Sequence, residues 1–294
     1  MKKIIFEGCG TAIVTPFTDG GINFEEFKKL IEFQIENNVD AIIVCGTTGE
    51  SATMTEEEKK ATIKFAIDTI AKRTKVIVGT GTNNTRTTIE MSKFAEEAGA
   101  DAVLVVTPYY NKTTQQGLTM HYTEIAKAID IPIIMYNVPG RTGVNILPET
   151  CKELSKIKNI VAIKEASGNI SQVAKIASLC KDDLVIYSGN DDQIIPILSL
   201  GGKGVISVLS NIMPKYTHKM IKEYAGGNVQ QATKMQLDVI DLVEALFIEV
   251  NPIPVKYALS LMGYDVGTLR LPLIELSSKS KEIMENVMKK HKLI

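Results

Sequence analysis

Residues 160–167 read Ile-Val-Ala-Ile-Lys-Glu-Ala-Ser. The apolar run at 160–163, rich in β-branched side chains and too short for an ordinary helix, predicts a strand buried on both faces. The run closes on Lys164. A lysine at the mouth of such a strand is partly stripped of water. Desolvation penalises a charged amine, and a neutral amine attacks a carbonyl carbon as a Schiff-base nucleophile. Taken alone, the commoner reading is a lysine that snorkels from a strand end into solvent. The residues at the other strand ends decide between the two.

Working outward from this run, short apolar stretches alternate with amphipathic ones. Strands are expected at 10–16 (GTAIVTP), 41–45, 76–79, 102–106, 132–136, 160–164, 184–187 and 204–208. Helices are expected at 23–37, 55–72, 85–98, 115–129, 148–156, 170–180, 191–200 and 212–225. Asn23 with Glu26, and Thr55 with Glu58, have the spacing of capping boxes. Eight strand–helix units in succession predict an α/β fold, a TIM (β/α)8 barrel over residues 1–225. A doubly wound open sheet is the structural alternative. Residues 226–294 read as a C-terminal helical region, with helices at 228–249, 253–263 and 277–291 broken at Pro252, Pro254 and Pro272.

A 45% hydrophobic chain of 294 residues can form a sizeable core. With 33 basic and 34 acidic residues the net charge is −1, so no electrostatic case exists for nucleic acid or an acidic membrane surface. There is no run of 18 apolar residues, so no membrane span is expected, and the apolar run after Lys2-Lys3 is too short for a signal peptide. Cys9, Cys45, Cys151 and Cys180 are widely separated without a C-x-x-C pair, which disfavours a disulfide framework or zinc site and fits reduced thiols in a cytoplasmic protein. His121, His218 and His291 lack metal-ligand spacing and read as surface or packing residues. No metal site is expected from these residues.

In barrels of this kind the active site lies at the C-terminal strand ends. The second strand leads into Gly46-Thr47-Thr48-Gly49-Glu50-Ser51, whose hydroxyls and unencumbered N–H groups suit a small carboxylate. The fourth leads into Thr107-Pro108-Tyr109-Tyr110-Asn111. The fifth ends at Tyr136, followed by Asn137-Val138-Pro139-Gly140-Arg141-Thr142-Gly143. Tyr136 and Lys164 close consecutive strands, so phenol and amine can meet, and the phenol can shuttle the protons of Schiff-base formation. Arg141, in a Gly-rich loop, can hold a second carboxylate in a bidentate fork. Gly79-Thr80-Gly81-Thr82 lacks the lysine of a phosphate loop, and Gly201-Gly202-Lys203-Gly204, where a barrel can bind phosphate, reads rather as a tight turn.

These motifs, in this order, resemble the pyruvate-dependent class I aldolase family that contains N-acetylneuraminate lyase and dihydrodipicolinate synthase. The resemblance runs from GTAIVTPF at 10–17 through the helical tail. The 136–143 stretch, Thr47-Thr48 and Pro108-Tyr109-Tyr110 resemble the synthase branch; neuraminate lyases lack the arginine at position 141. The resemblance implies condensation of pyruvate with L-aspartate 4-semialdehyde on the way to diaminopimelate and lysine, without a cofactor. It implies Lys164 as the Schiff-base lysine and Tyr136, Thr47 and Tyr110 as a proton relay. Thr48 and Gly49 would lie in the loop for the keto acid carboxylate, Arg141 would hold the second substrate, and the backbone of Gly189 and Ile206 would lie beside the keto acid. A homotetramer, a dimer of dimers with Tyr110 supplied across the tight dimer interface, is also implied. Lysine-inhibited members carry histidines just after the GTTGES loop and a glutamate in the third unit. Here those positions hold Glu56, Lys59 and Thr87, so weak or absent lysine feedback is expected. The alternatives are a sugar-acid aldolase of the same family and a non-catalytic binding barrel.

Overall fold

The computed structural model describes residues 2–294. In chain order it begins with β1 (Gly8–Ala12), a short hairpin of β2 (Phe17–Thr18) and β3 (Gly21–Ile22), α1 (Phe24–Glu36) and β4 (Ala41–Val44). The alternation continues with α2 (Glu56–Ile70), β5 (Lys75–Gly79), α3 (Thr85–Ala98), β6 (Ala102–Val106), α4 (Gln115–Ala128) and β7 (Ile133–Asn137). Next come a one-turn helix α5 (Pro139–Thr142), α6 (Pro148–Leu154), β8 (Ile160–Glu165), α7 (Ile170–Cys180), β9 (Val185–Ser188), α8 (Ile194–Ser199) and β10 (Gly204–Ser207). The rest is helical: α9 (Pro214–Ala225), α10 (Val229–Asp238), α11 (Ile240–Leu246), α12 (Ile253–Leu261) and α13 (Ser278–Lys290). Eight strands form a closed barrel in the order β1-β10-β9-β8-β7-β6-β5-β4, the expected (β/α)8 architecture. By its internal contacts the chain divides into two compact units, residues up to Gly8 with Lys75–Ile206, and Cys9–Thr74 with Ser207–Ile294.

In the first unit β5 to β10 pair in parallel, each strand with the next. Every residue of β7 and β8 is buried, as the near-continuous apolar runs require. The helices start where side-chain acceptors meet free N–H groups: Asn84, Thr114 and Asn169 cap α3, α4 and α7. Two fully buried tyrosines satisfy their hydroxyls on backbone, Tyr122 on Val105 O and Tyr187 on Phe6 O. The 201–204 segment is a tight turn: the N–H groups of Gly201, Gly202 and Lys203 are spent on the carbonyls of Leu198, Ile197 and Ile186.

In the second unit β1 pairs with β4, and Asn211 ties down the chain after β1 by donating to Ala12 O and accepting from Val14 N. Thr55 and Glu58 form the expected reciprocal capping box on α2. The pair at the start of α1 is different. Asn23 caps Glu26 N, but the Glu26 carboxylate turns away to Asp265 N and Lys29, so half of that box is spent on the tail. The helix expected at 228–249 breaks at Val239, because α11 turns toward α13, where Asp241 meets Lys290 and His291. The first strand also begins and ends earlier than the 10–16 expected from its apolar pattern.

The three histidines have packing partners: His121 with Thr85, His218 with Asp40 and His291 with Asp241. The four cysteines are buried, and none is in a disulfide. Among the described residues no helix is long and apolar enough to cross a membrane, and no group of His, Cys, Asp and Glu is arranged to hold a metal ion.

Candidate active site

The parallel register of β7 and β8 sets Tyr136 beside Lys164 and Asn137 beside Glu165. Side chains alternate along a strand, so the two pairs fall on opposite faces of the sheet. On one face Lys164 Nζ lies 4.2 Å from the centre of the Tyr136 ring, a cation–π distance. Each residue is only 7% exposed. Among the described residues neither the amine nor the phenol has a hydrogen-bond partner, and no carboxylate pairs with the amine. A carbonyl compound can therefore meet this amine without first breaking an ion pair.

Next to the amine the backbone comes unusually close. Gly189 donates its N–H to Glu165 O at 2.8 Å. A Cβ at this position would stand 3.1 Å from Lys164 Cε and 2.6 Å from Ala166 Cβ. Glycine is needed here for space, not for backbone freedom. Val205 registers with Ser188; Ile206 follows it within β10 and is fully buried, and Gly189 follows directly after the end of β9.

On the opposite face Glu165, 1% exposed, accepts from Asn137 Nδ2, Ser167 N and Gln172 Nε2. Asn137 also accepts from Ile146 N, and Asn145 and Gln172 exchange amide hydrogen bonds. Neutral donors satisfy this buried carboxylate and lock the ends of both strands. The sequence reading passed over Glu165 and Asn137. The strand alternation supplied a signal for them: polar residues directly after Tyr136 and Lys164 must face the helical layer.

Tyr110 is 91% exposed and has a φ of 67° in the loop after β6. Thr107 there bonds to Thr142. Arg141 sits not in a loop but on the one-turn helix α5, started by Pro139 and ended by Gly143 at a φ of 68°.

In the second unit, β4 leads into the loop at 46–51. Cys45 and Glu50, both non-glycine residues in the left-handed region, stand before and near the end of that loop. The N–H groups of Glu50 and Ser51 are spent on Thr47 O and Gly46 O. Among the described residues nothing accepts from the N–H of Thr47, Thr48 or Gly49. Consecutive unspent N–H groups are what a small carboxylate takes. Thr47 is exposed. The buried Thr48 hydroxyl accepts from Asn251 Nδ2 at 3.0 Å, which leaves its own proton to donate. Asn251 was not legible as a partner, since it lies 203 positions away.

Residues 5–291 match the model of the Dihydrodipicolinate synthetase family. The chain is 55% identical to the 4-hydroxy-tetrahydrodipicolinate synthase of Acetivibrio thermocellus, over all of both chains. It is 57% identical to that of Thermoanaerobacter sp. (strain X514), over 99% of this chain and 98% of the relative. The crystal structure of dihydrodipicolinate synthase from Thermotoga maritima superposes with a TM-score of 0.97, at 46% identity, covering 99% of this chain and all of the other.

Proposed function

The chain belongs to the dihydrodipicolinate synthetase family, and from that premise we propose the chemistry that its residues carry out. It is a 4-hydroxy-tetrahydrodipicolinate synthase, a carbon–carbon bond-forming lyase of diaminopimelate and lysine biosynthesis. Its substrates are pyruvate and L-aspartate 4-semialdehyde, joined through a Schiff base. The observation that carries the residue assignment is the Lys164 amine, buried, without a carboxylate and against the ring of Tyr136.

The Lys164 amine adds to the ketone carbon of pyruvate. The carbinolamine loses water to give the imine, and a methyl proton leaves to give the enamine. The enamine carbon attacks the aldehyde carbon of the second substrate, and cyclisation through that substrate's own amine expels Lys164. Each step moves a proton, and the unpartnered Tyr136 phenol is the donor and acceptor proposed for them. Thr47 and Tyr110 join it in the relay. The exposure of Tyr110 on the single chain suits a side chain that serves a second copy, in a tetramer built of two tight dimers. The N–H groups of Thr48 and Gly49 hold the keto acid carboxylate, the backbone of Gly189 and Ile206 lies beside the keto acid, and Arg141 takes the carboxylate of the second substrate. Residues 1–225 are the catalytic barrel and 226–294 its helical appendage.

Treatment with pyruvate and borohydride, then digestion and peptide mass measurement, tests this. The expected result is a reduced adduct on Lys164 alone, absent in K164M. In Y136F the adduct still forms while turnover, assayed with both substrates and a coupled reductase, falls on the order of 10²-fold or more. An adduct elsewhere overturns the assignment. Turnover of a sugar-acid aldehyde in place of aspartate semialdehyde reassigns the second substrate.

A further inference from the structure

The loop at 46–51 is gripped from behind by a buried ion pair that the reaction chemistry does not use. Lys256 Nζ on α12 lies 2.9 Å from Glu50 Oε1, and the two side chains are 3% and 0% exposed. The amine also donates to Thr15 O and Thr268 O, so its three protons have three acceptors. The second carboxylate oxygen of Glu50 accepts from Arg270 N. Arg270 in turn forks onto Glu58 and reaches Thr53 O. The ring of the buried Phe17 lies 4.7 Å from the Lys256 amine and 4.1 Å from the Arg270 guanidinium. Two more bonds fasten the loop itself, from Thr15 Oγ1 to Gly49 O at 2.8 Å and from Asn251 to Thr48.

A buried ion pair is a poor way to gain stability, because desolvating two charges offsets most of their attraction and a packed apolar pair would serve as well. What such a pair does well is fix geometry. Here it fixes Glu50, a non-glycine residue held at a φ of 52° directly after the three unspent N–H groups. We propose that Glu50 and Lys256 are positioning residues for the keto acid: their ion pair, anchored by Thr15 and the 268–270 segment, holds the Thr47–Gly49 backbone in the arrangement that binds the carboxylate. This rests on the reading of the loop as the carboxylate site. It assigns to the helical tail a part in substrate affinity.

The test compares wild type with E50Q, K256M, the double variant E50Q/K256M and T15V. Thermal midpoint, kcat, KM for each substrate, and the pyruvate concentration that half-saturates borohydride trapping are measured for each. E50Q and K256M are expected to raise the pyruvate KM and the half-saturating concentration on the order of tenfold, with kcat at saturating pyruvate and KM for the aldehyde little changed. The double variant strands no charge, so it regains thermal stability over the single variants but not pyruvate affinity. T15V leaves both buried charges in place, folds, and shows a smaller shift of the same kind. Should the single variants fail to fold, T15V and the double variant decide. Pyruvate half-saturation at the wild-type value in both overturns the proposal and leaves the pair a stability element. A wild-type protein that traps no pyruvate at all overturns instead the functional reading beneath it.

Discussion

Gly189 stands where any side chain would press on Lys164: a Cβ there lies 3.1 Å from Lys164 Cε and 2.6 Å from the Cβ of Ala166. The Ala166 contact is with a short side chain fixed to the backbone, so it cannot swing aside. One methyl group at position 189 must move the backbone or displace the lysine. G189A is therefore expected to fold, with stability lowered by about 1–3 kcal/mol. Its kcat should fall on the order of 10²-fold, the scale of effect that an ångström of misplacement has on a reacting group. Slower borohydride trapping at saturating pyruvate would locate the loss in imine formation. Wild-type kinetics in a folded G189A would show that Lys164 has room the geometry denies it.

The carboxylate of Glu165 holds together the strand ends that carry Tyr136 and Lys164. E165L takes the carboxylate from the buried Asn137 amide, which keeps only Asn145 Oδ1, and leaves the half-buried Ser167 N–H without its acceptor. The expected cost is about 2–4 kcal/mol, read as a lower denaturant midpoint at unchanged slope. E165Q keeps the volume but turns an amide donor toward donors, and should cost less than E165L. Both variants should lose turnover at temperatures where they remain folded, since Asn137 and Glu165 directly follow Tyr136 and Lys164 in the chain.

His121 makes stability depend on mild acid. Its Nδ1 is bonded to Thr85, its Nε2 has no partner among the described residues, and it packs edge-on against Tyr122. Burial holds its pKa down to about 4, from 6.5. Between those values the unfolded chain binds a proton that the folded chain refuses. Stability is thus fully present above pH 6.5 and declines as pH falls toward 4, by on the order of 3 kcal/mol. In H121M that part of the slope should vanish from denaturant titrations run across the range. An unchanged slope would assign it to other groups.

Feedback by lysine is expected to be weak or absent. Lys59 occupies a position where lysine-inhibited relatives carry histidine, and its ammonium would oppose that of a bound lysine. Steady-state rates should be unchanged at millimolar lysine with either substrate limiting. Inhibition in that range would show that Glu56, Lys59 and Thr87 do not prevent binding.

The sequence by itself determined the barrel and the Lys164–Tyr136 pair. Both follow from short-range order: apolar runs at strand spacing, caps such as Thr55 with Glu58, and polar residues that close consecutive runs. Two side chains on neighbouring strands of one register need no long-range information beyond the fold. Local pattern failed where a residue answered to a distant partner. Glu26 has capping-box spacing but bonds to Asp265 N, and the helical periodicity through 228–249 gives no sign of the break at Val239 that lets Asp241 reach His291. Only the tertiary structure decided that Asn251 orients Thr48 and that Lys256, 206 positions from Glu50, grips the loop. Periodicity records which face of an element is apolar; it carries no record of which buried charge on one element meets its opposite on another.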